Sequence, residues 1–151
     1  MVILEKEVAQ VDIGKILNWF EEKKLIEQIR KIEEETTGEV HIHLEFKTSK
    51  KDTLNDAVAT FHNLKMDHTP HRNAVLIYIS VKDHELACCG DKGIHEKVGD
   101  EGWKNLVHEL RTHFKQGDYY FGLSKTLDEV GGYLRRYFPA NDKNDENKTL
   151  A

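Results

Sequence analysis

The sequence has little that would send it into a membrane, onto a nucleic acid or into an oxidising compartment. Its longest purely apolar run is Ala74–Ile79, six residues, against the roughly 20 needed to cross a bilayer. The opening stretch MVILEKEVAQVD meets an acid at Glu5 and has no basic segment leading into an apolar one, so no signal peptide is expected. Positive charge is not in excess. Lys and Arg number 22 against 27 Asp and Glu, a net charge of −5, which argues against nucleic acid or an anionic membrane as the main partner. The two cysteines, Cys88 and Cys89, are neighbours. Adjacent residues of a strand point to opposite faces, so a bond between them would be strained. A reducing, cytoplasmic location is expected. No internal repeat, phosphate-binding glycine loop, C-x2-C pair or C-x5-R signature is present.

What is there reads as one α/β domain. At 151 residues the chain suits a single core. Residues 1–18 form an N-terminal extension, a short helix docked on the core being one reading of it. Residues 19–139 form the domain, and 140–151 are too polar to fold. Phe20 to Glu35 carries Leu25, Ile29 and Ile32 on one helical stripe, and Gly38 is suited to a left-handed cap. The period then changes. Val40, Ile42, Leu44 and Phe46 alternate with Glu39, His41, His43 and Glu45, a strand with one buried face. A basic loop, 47–51, follows. Asp52 or Thr53 caps a helix with Leu54, Ala57, Val58, Phe61 and Leu64 inward. Asn73–Val81 is apolar nearly throughout, as in a central strand covered on both faces. A turn at Lys82-Asp83 leads into a third strand, His84–Cys89. Asp100 is expected to cap the next helix, and a last helix ends near Phe138. This order predicts a small mixed β-sheet, a parallel β-α-β unit plus an antiparallel hairpin strand, sandwiched between helices.

That topology gathers Glu39, Arg72, Asn73 and Asp91 at one end of the sheet, with Asp100 close by. These are oxygen ligands of the kind that hard cations take. Turn and cap chemistry accounts for the same residues and is the favoured reading of them. The carboxyl ends of the parallel strands, where ligands of open α/β sheets usually bind, lie at the opposite end. Zinc is the weaker metal reading. His41 and His43 share a strand face and His68 and His71 stand three apart, but no set of ligands has zinc spacing. One cysteine is expected to face inward and one outward, and Trp103 and the Tyr119-Tyr120-Phe121 run are expected to pack rather than to stack on bases.

The ordered set of short motifs resembles a TPM domain. It comprises Glu33 and Thr36, Gly38-Glu39, Phe61, Leu64, Met66 and Thr69, then Arg72-Asn73, Val75-Leu76, Gly90-Asp91-Lys92-Gly93-Ile94, Trp103, Gly117-Asp118, Gly122-Leu123 and Phe138-Pro139. The likeness covers about Phe20 to Pro139 and is greatest to the short, soluble bacterial branch of the family. Lys65 and Ala74 stand where the family usually has glycine. The resemblance implies a Rossmann-like α/β sandwich. It also implies binding of a divalent cation, calcium above all, for which the residues offer Glu39, Asn73, Asp91 and Asp100 as candidate ligands and Asp118 as an outlying one, and an acid phosphatase activity. In that activity Arg72 and Lys92 would hold phosphate, and Asp91 is the catalytic candidate. Three functions therefore follow: a cation-binding accessory module, a metal-dependent phosphatase, or a protein-interaction domain using the exposed side of the first strand or residues 1–18.

Overall fold

A computed structural model describes residues 2–5, 16–46 and 52–140, the first four by backbone alone. The expected basic loop at 47–51, residues 6–15 of the extension and the tail from 141 onward lie outside the described residues.

Eight main elements run in the order β1 (Val2–Glu5), α1 (Trp19–Glu35), β2 (Glu39–Glu45), α2 (Thr53–Asn63), β3 (Ala74–Ser80), β4 (Glu85–Gly90), α3 (Lys92–Lys115) and α4 (Tyr119–Tyr137). The strands form one sheet in the order β1-β4-β3-β2. β2 and β3 are parallel, Glu39 opposite Ala74, and β4 returns antiparallel with Val75 opposite Gly90. The mixed sheet expected from the sequence is thus present, with one addition. The extension begins not with a helix but with a strand, which pairs antiparallel to β4 from Val2 opposite Cys89 to Glu5 opposite Leu86. Val2, Ile3 and Leu4 form a short apolar run of the kind that also fits a strand, too brief for its period to decide between strand and helix.

β3 lies inside the sheet and all seven of its residues are buried. One face, with Val75, Ile77 and Ile79, packs against α1, α3 and α4 through residues such as Ile32, Trp103, Phe114 and Leu127. The other, with Leu76 and Tyr78, packs under Ala57 and Phe61 of α2 and Met66. Both faces of the inner strands are therefore covered, and this corrects the expectation for the cysteines. Cys88 belongs to the first core and Cys89 to the second, so both are buried and free. Burial pushes both thiols up, Cys89 to about 11, which keeps them protonated and unreactive.

Two boundaries differ from the sequence reading. Gly38 is not left-handed. α1 ends at Thr36 in extended conformation, and Gly38 is needed for space, since a Cβ there would lie 2.7 Å from Leu134. α3 begins at Lys92, eight residues before Asp100. Its N-cap is Asp91, whose Oδ1 accepts the Lys92 N–H at 2.8 Å. A break at Gly99, φ 76° and ψ 165°, divides α3 into two helical segments, so the cap-like signal at Asp100 marks the start of the second segment rather than the start of α3. Lys65 adopts φ 57°, so the left-handed conformation is kept there without glycine.

Candidate functional site

The amino ends of β2 and β3 bring Glu39, Arg72, Asn73 and Asp91 together, as the topology requires. Arg72 stands in a left-handed turn, φ 50°, just before β3. Its Nε and one Nη donate to the two oxygens of Asp91 at 2.6 and 3.0 Å. Asp91 is only 7% exposed in its side chain, and one of its oxygens also caps α3. The Arg72 carbonyl in turn accepts the Gly93 N–H at 2.8 Å and the Ile94 N–H at 3.3 Å. Gly93 has no alternative here, because a Cβ would sit 2.2 Å from the His71 carbonyl oxygen. Turn and helix are thus clamped by a two-pronged ion pair and by backbone. Asp91 raises the Arg72 pKa further through its hydrogen bond and its charge.

Beside the clamp, Asn73 is fully buried. Its Nδ2 donates to Thr37 Oγ1 at 2.9 Å, while its Oδ1 meets no hydrogen-bond donor among the described residues. Glu39 pairs with His41 at 3.0 Å. Lys92 is exposed at the head of α3.

The remaining predicted ligands stand apart. Asp100 is 61% exposed and pairs with His95 at 3.4 Å. Asp118 opens α4, whereas the far end of that helix is what reaches the clamp region, through the Phe138 carbonyl that accepts the Thr37 N–H. The 19 residues of α4 separate the two by about 28 Å at 1.5 Å per residue. Among the described residues no three His, Cys, Asp or Glu side chains are grouped to hold a metal. His41 and His43 point to the α2 side of β2, paired with Glu39 and Glu45. No helix among the described residues is long and apolar enough to cross a membrane.

A wide concavity lies beside this region, along the edge of β2. A groove of about 800 Å³ runs between α1 and the outer edge of β2. Its floor is apolar, built from Leu25, Ile26 and Ile29 of α1 and Ile42 and Leu44 of β2, and Glu22, Glu33 and Glu39 stand around it. Among the described residues β2 ends the sheet, and no described strand lies on the outer side of its backbone. The Val81 N–H donates to the Glu45 carbonyl, so residues of that parity turn their polar groups toward β3. Val40 has the other parity, and its outward N–H is taken by Glu33 Oε2 at 2.9 Å. The same alternation aims the N–H and C=O of Ile42 and Leu44 at the groove side. Glu33 stands in the sequence as the first of three acids and as one of the motif residues of the resemblance. Nothing local marks it as the cap of a strand seven residues on.

A family model for the TPM domain matches residues 10–133. No curated protein matches the chain. Among solved structures, the BA42 protein from the psychrophilic bacterium Bizionia argentinensis superposes with a TM-score of 0.76 at 41% identity, over 85% of this chain and 88% of that one. The N-terminal domain of a P. gingivalis protein shares the fold at 16% identity, with a TM-score of 0.70 over 82% of this chain and 80% of that one. The motif order read from Glu33 to Pro139, the mixed sheet that carries it and these matches agree, and the chain belongs to the TPM domain family.

Proposed function

We propose that this TPM domain is a binding module whose working surface is the groove between α1 and the free edge of β2. The groove itself carries the reading. Its volume, about 800 Å³, lies in the range of sites that enclose a ligand, and an apolar floor with a few polar groups at the rim is the usual make-up of such sites. The test is an amide NMR titration of the full chain with indole, a small neutral apolar probe. Saturable shifts at Ile29, Ile42 and Leu44 are expected. Shifts scattered over the surface, or none at millimolar probe, would remove the groove as a working surface.

A second reading has its own support in Asn73. A buried amide oxygen without a donor is costly, and a hard cation satisfies such an oxygen. Calcium collects six to eight oxygens. Asn73 Oδ1, Thr37 Oγ1 and the Glu39 carboxylate are the groups to hold it, and Asp91 joins them only by giving up Arg72. Competition with Arg72 gives the test. Calcium should shift the Asn73 and Asp91 amides, and Arg72→Gln should tighten binding. A variant that binds no better than the native chain counts against a site that includes Asp91. The phosphatase reading depends on the same cation, with Arg72 or Lys92 on the phosphate, and fails if the titration is silent.

A further inference from the structure

We infer that the occupant of the groove is an extended, cationic segment of another protein, which pairs with β2 as an added strand. This inference rests on the groove being the working surface. The free edge supplies the pairing. The outward N–H and C=O groups of Ile42 and Leu44 have the spacing of a strand ladder, and no described strand lies beside them. β2 carries none of the lysines or prolines that commonly blunt an edge. Glu33 already shows what the edge accepts. Its carboxylate oxygen sits on the Val40 N–H, where a neighbouring strand would place a carbonyl.

Side chains supply the specificity. An added strand turns alternate residues toward α1, where half-buried Ile29 and exposed Ile26 await apolar partners. Charge then chooses among apolar strands. Glu22, Glu33 and Glu39 line the groove and no Lys or Arg does so among the described residues. His41, the one basic side chain at the wall, is paired with Glu39. An acidic rim favours a segment bearing Lys or Arg and repels one bearing Asp or Glu. It also disfavours a second copy of this chain, which carries a net charge of −5.

The test uses the full chain and three end-capped heptapeptides: alternating Val and Lys, alternating Val and Glu, and the Val-Lys peptide N-methylated on its bonding edge. The Val-Lys peptide should shift the amides of Ile42 and Leu44 saturably and slow their hydrogen exchange. The Val-Glu peptide should bind at least about fivefold more weakly, as expected for several rim charges of a few tenths of a kcal/mol each. N-methylation should abolish the slowed exchange. Glu33→Gln keeps an oxygen for Val40 but removes a charge, so it should weaken the Val-Lys peptide while leaving the melting temperature unchanged. Equal binding of the Val-Lys and Val-Glu peptides overturns the cationic partner. Binding that survives N-methylation overturns the added strand. Both of these results leave the groove in place if indole still binds there. Shifts at Ile42 and Leu44 that grow with protein concentration, without any peptide, identify a second copy as the occupant and overturn the inference.

Discussion

The amino end of the sheet and the outer edge of β2 meet at Thr37–Val40, yet they use their polar groups in opposite ways. At the amino end they face inward. Both oxygens of Asp91 hold Arg72, one of them also holds the Lys92 N–H, and the Arg72 carbonyl ties down Gly93 and Ile94. Along the outer edge of β2, beyond the bond from Val40 to Glu33, the backbone polar groups of Ile42 and Leu44 face a groove. The residues that stand out in the sequence as ligand candidates therefore bond largely to one another and to backbone, while the groove is built from residues that look like ordinary helix and strand. A dense motif such as Gly-Asp-Lys-Gly reports tight geometry first, and tight geometry serves a clamp as readily as a site.

The comparison predicts that substitutions at the clamp cost stability and those at the groove do not. The largest effect belongs to Gly93→Ala. Its Cβ would press on backbone at 2.2 Å, which cannot rotate away, so a loss of about 3 kcal/mol or more is expected in urea denaturation. Asp91→Asn comes next. It keeps an oxygen for the helix cap but removes the charge facing Arg72, which is 39% exposed and can turn to water. A loss of about 2 kcal/mol fits a charged hydrogen-bonded pair with one partner partly solvated. A loss within experimental error for Asp91→Asn would mean that the clamp is held by backbone alone and that Asp91 is available to a ligand. Glu33→Ala leaves the Val40 N–H unpaired at a half-open edge and should cost about 1 kcal/mol, whereas Ile26→Ser, on a residue 49% exposed, should stay within about 0.5 kcal/mol. A large loss for Ile26→Ser would mark the groove as part of the core and break the comparison.

Most of the fold was legible because its signals are periodic. The alternation from Val40 to Phe46 and the unbroken apolar run from Ala74 to Ile79 placed β2 and β3, and their parallel pairing then put Arg72, Asn73 and Asp91 side by side. The misses have local causes. Asp91 and Asp100 both look like helix caps, and each stands at the head of a helical segment with Gly99 breaking the helix between them, so the sequence reading found the second start and missed the first. Val2–Glu5 is too short a run for periodicity to declare a strand. Asp118 entered the ligand set only as an outlying candidate, and the length of α4 separates it from the clamp. The groove left no trace because it is a relation between α1 and an edge, and which strand forms the edge follows from the whole sheet order rather than from any segment.

The smallest effect lies in the pH dependence, and it shows whether the clamp or the helix pair sets how stability responds to pH. The Arg72 charge is held above any working pH by Asp91, so it does not titrate between pH 5 and 8. Glu129 on α4 does. Burial, then a hydrogen bond and charge repulsion from Glu109 on α3, push it up to about 7 from an ordinary 4.5. In the unfolded chain Glu129 is ionised above about 4.5, while in the folded chain it keeps its proton until about 7. The folded state therefore binds the extra proton. Its contribution is fully favourable below pH 4.5 and is lost as pH rises through 7. Glu129→Gln stays neutral at every pH and can still hydrogen-bond Glu109, so thermal melts should show the variant gaining over the native chain at pH 8, with the gain shrinking toward pH 5. Glu129 is partly solvated, so the difference is small. A difference that instead grows toward acid would mean that Glu129 is ionised in the fold and does not set the pH response.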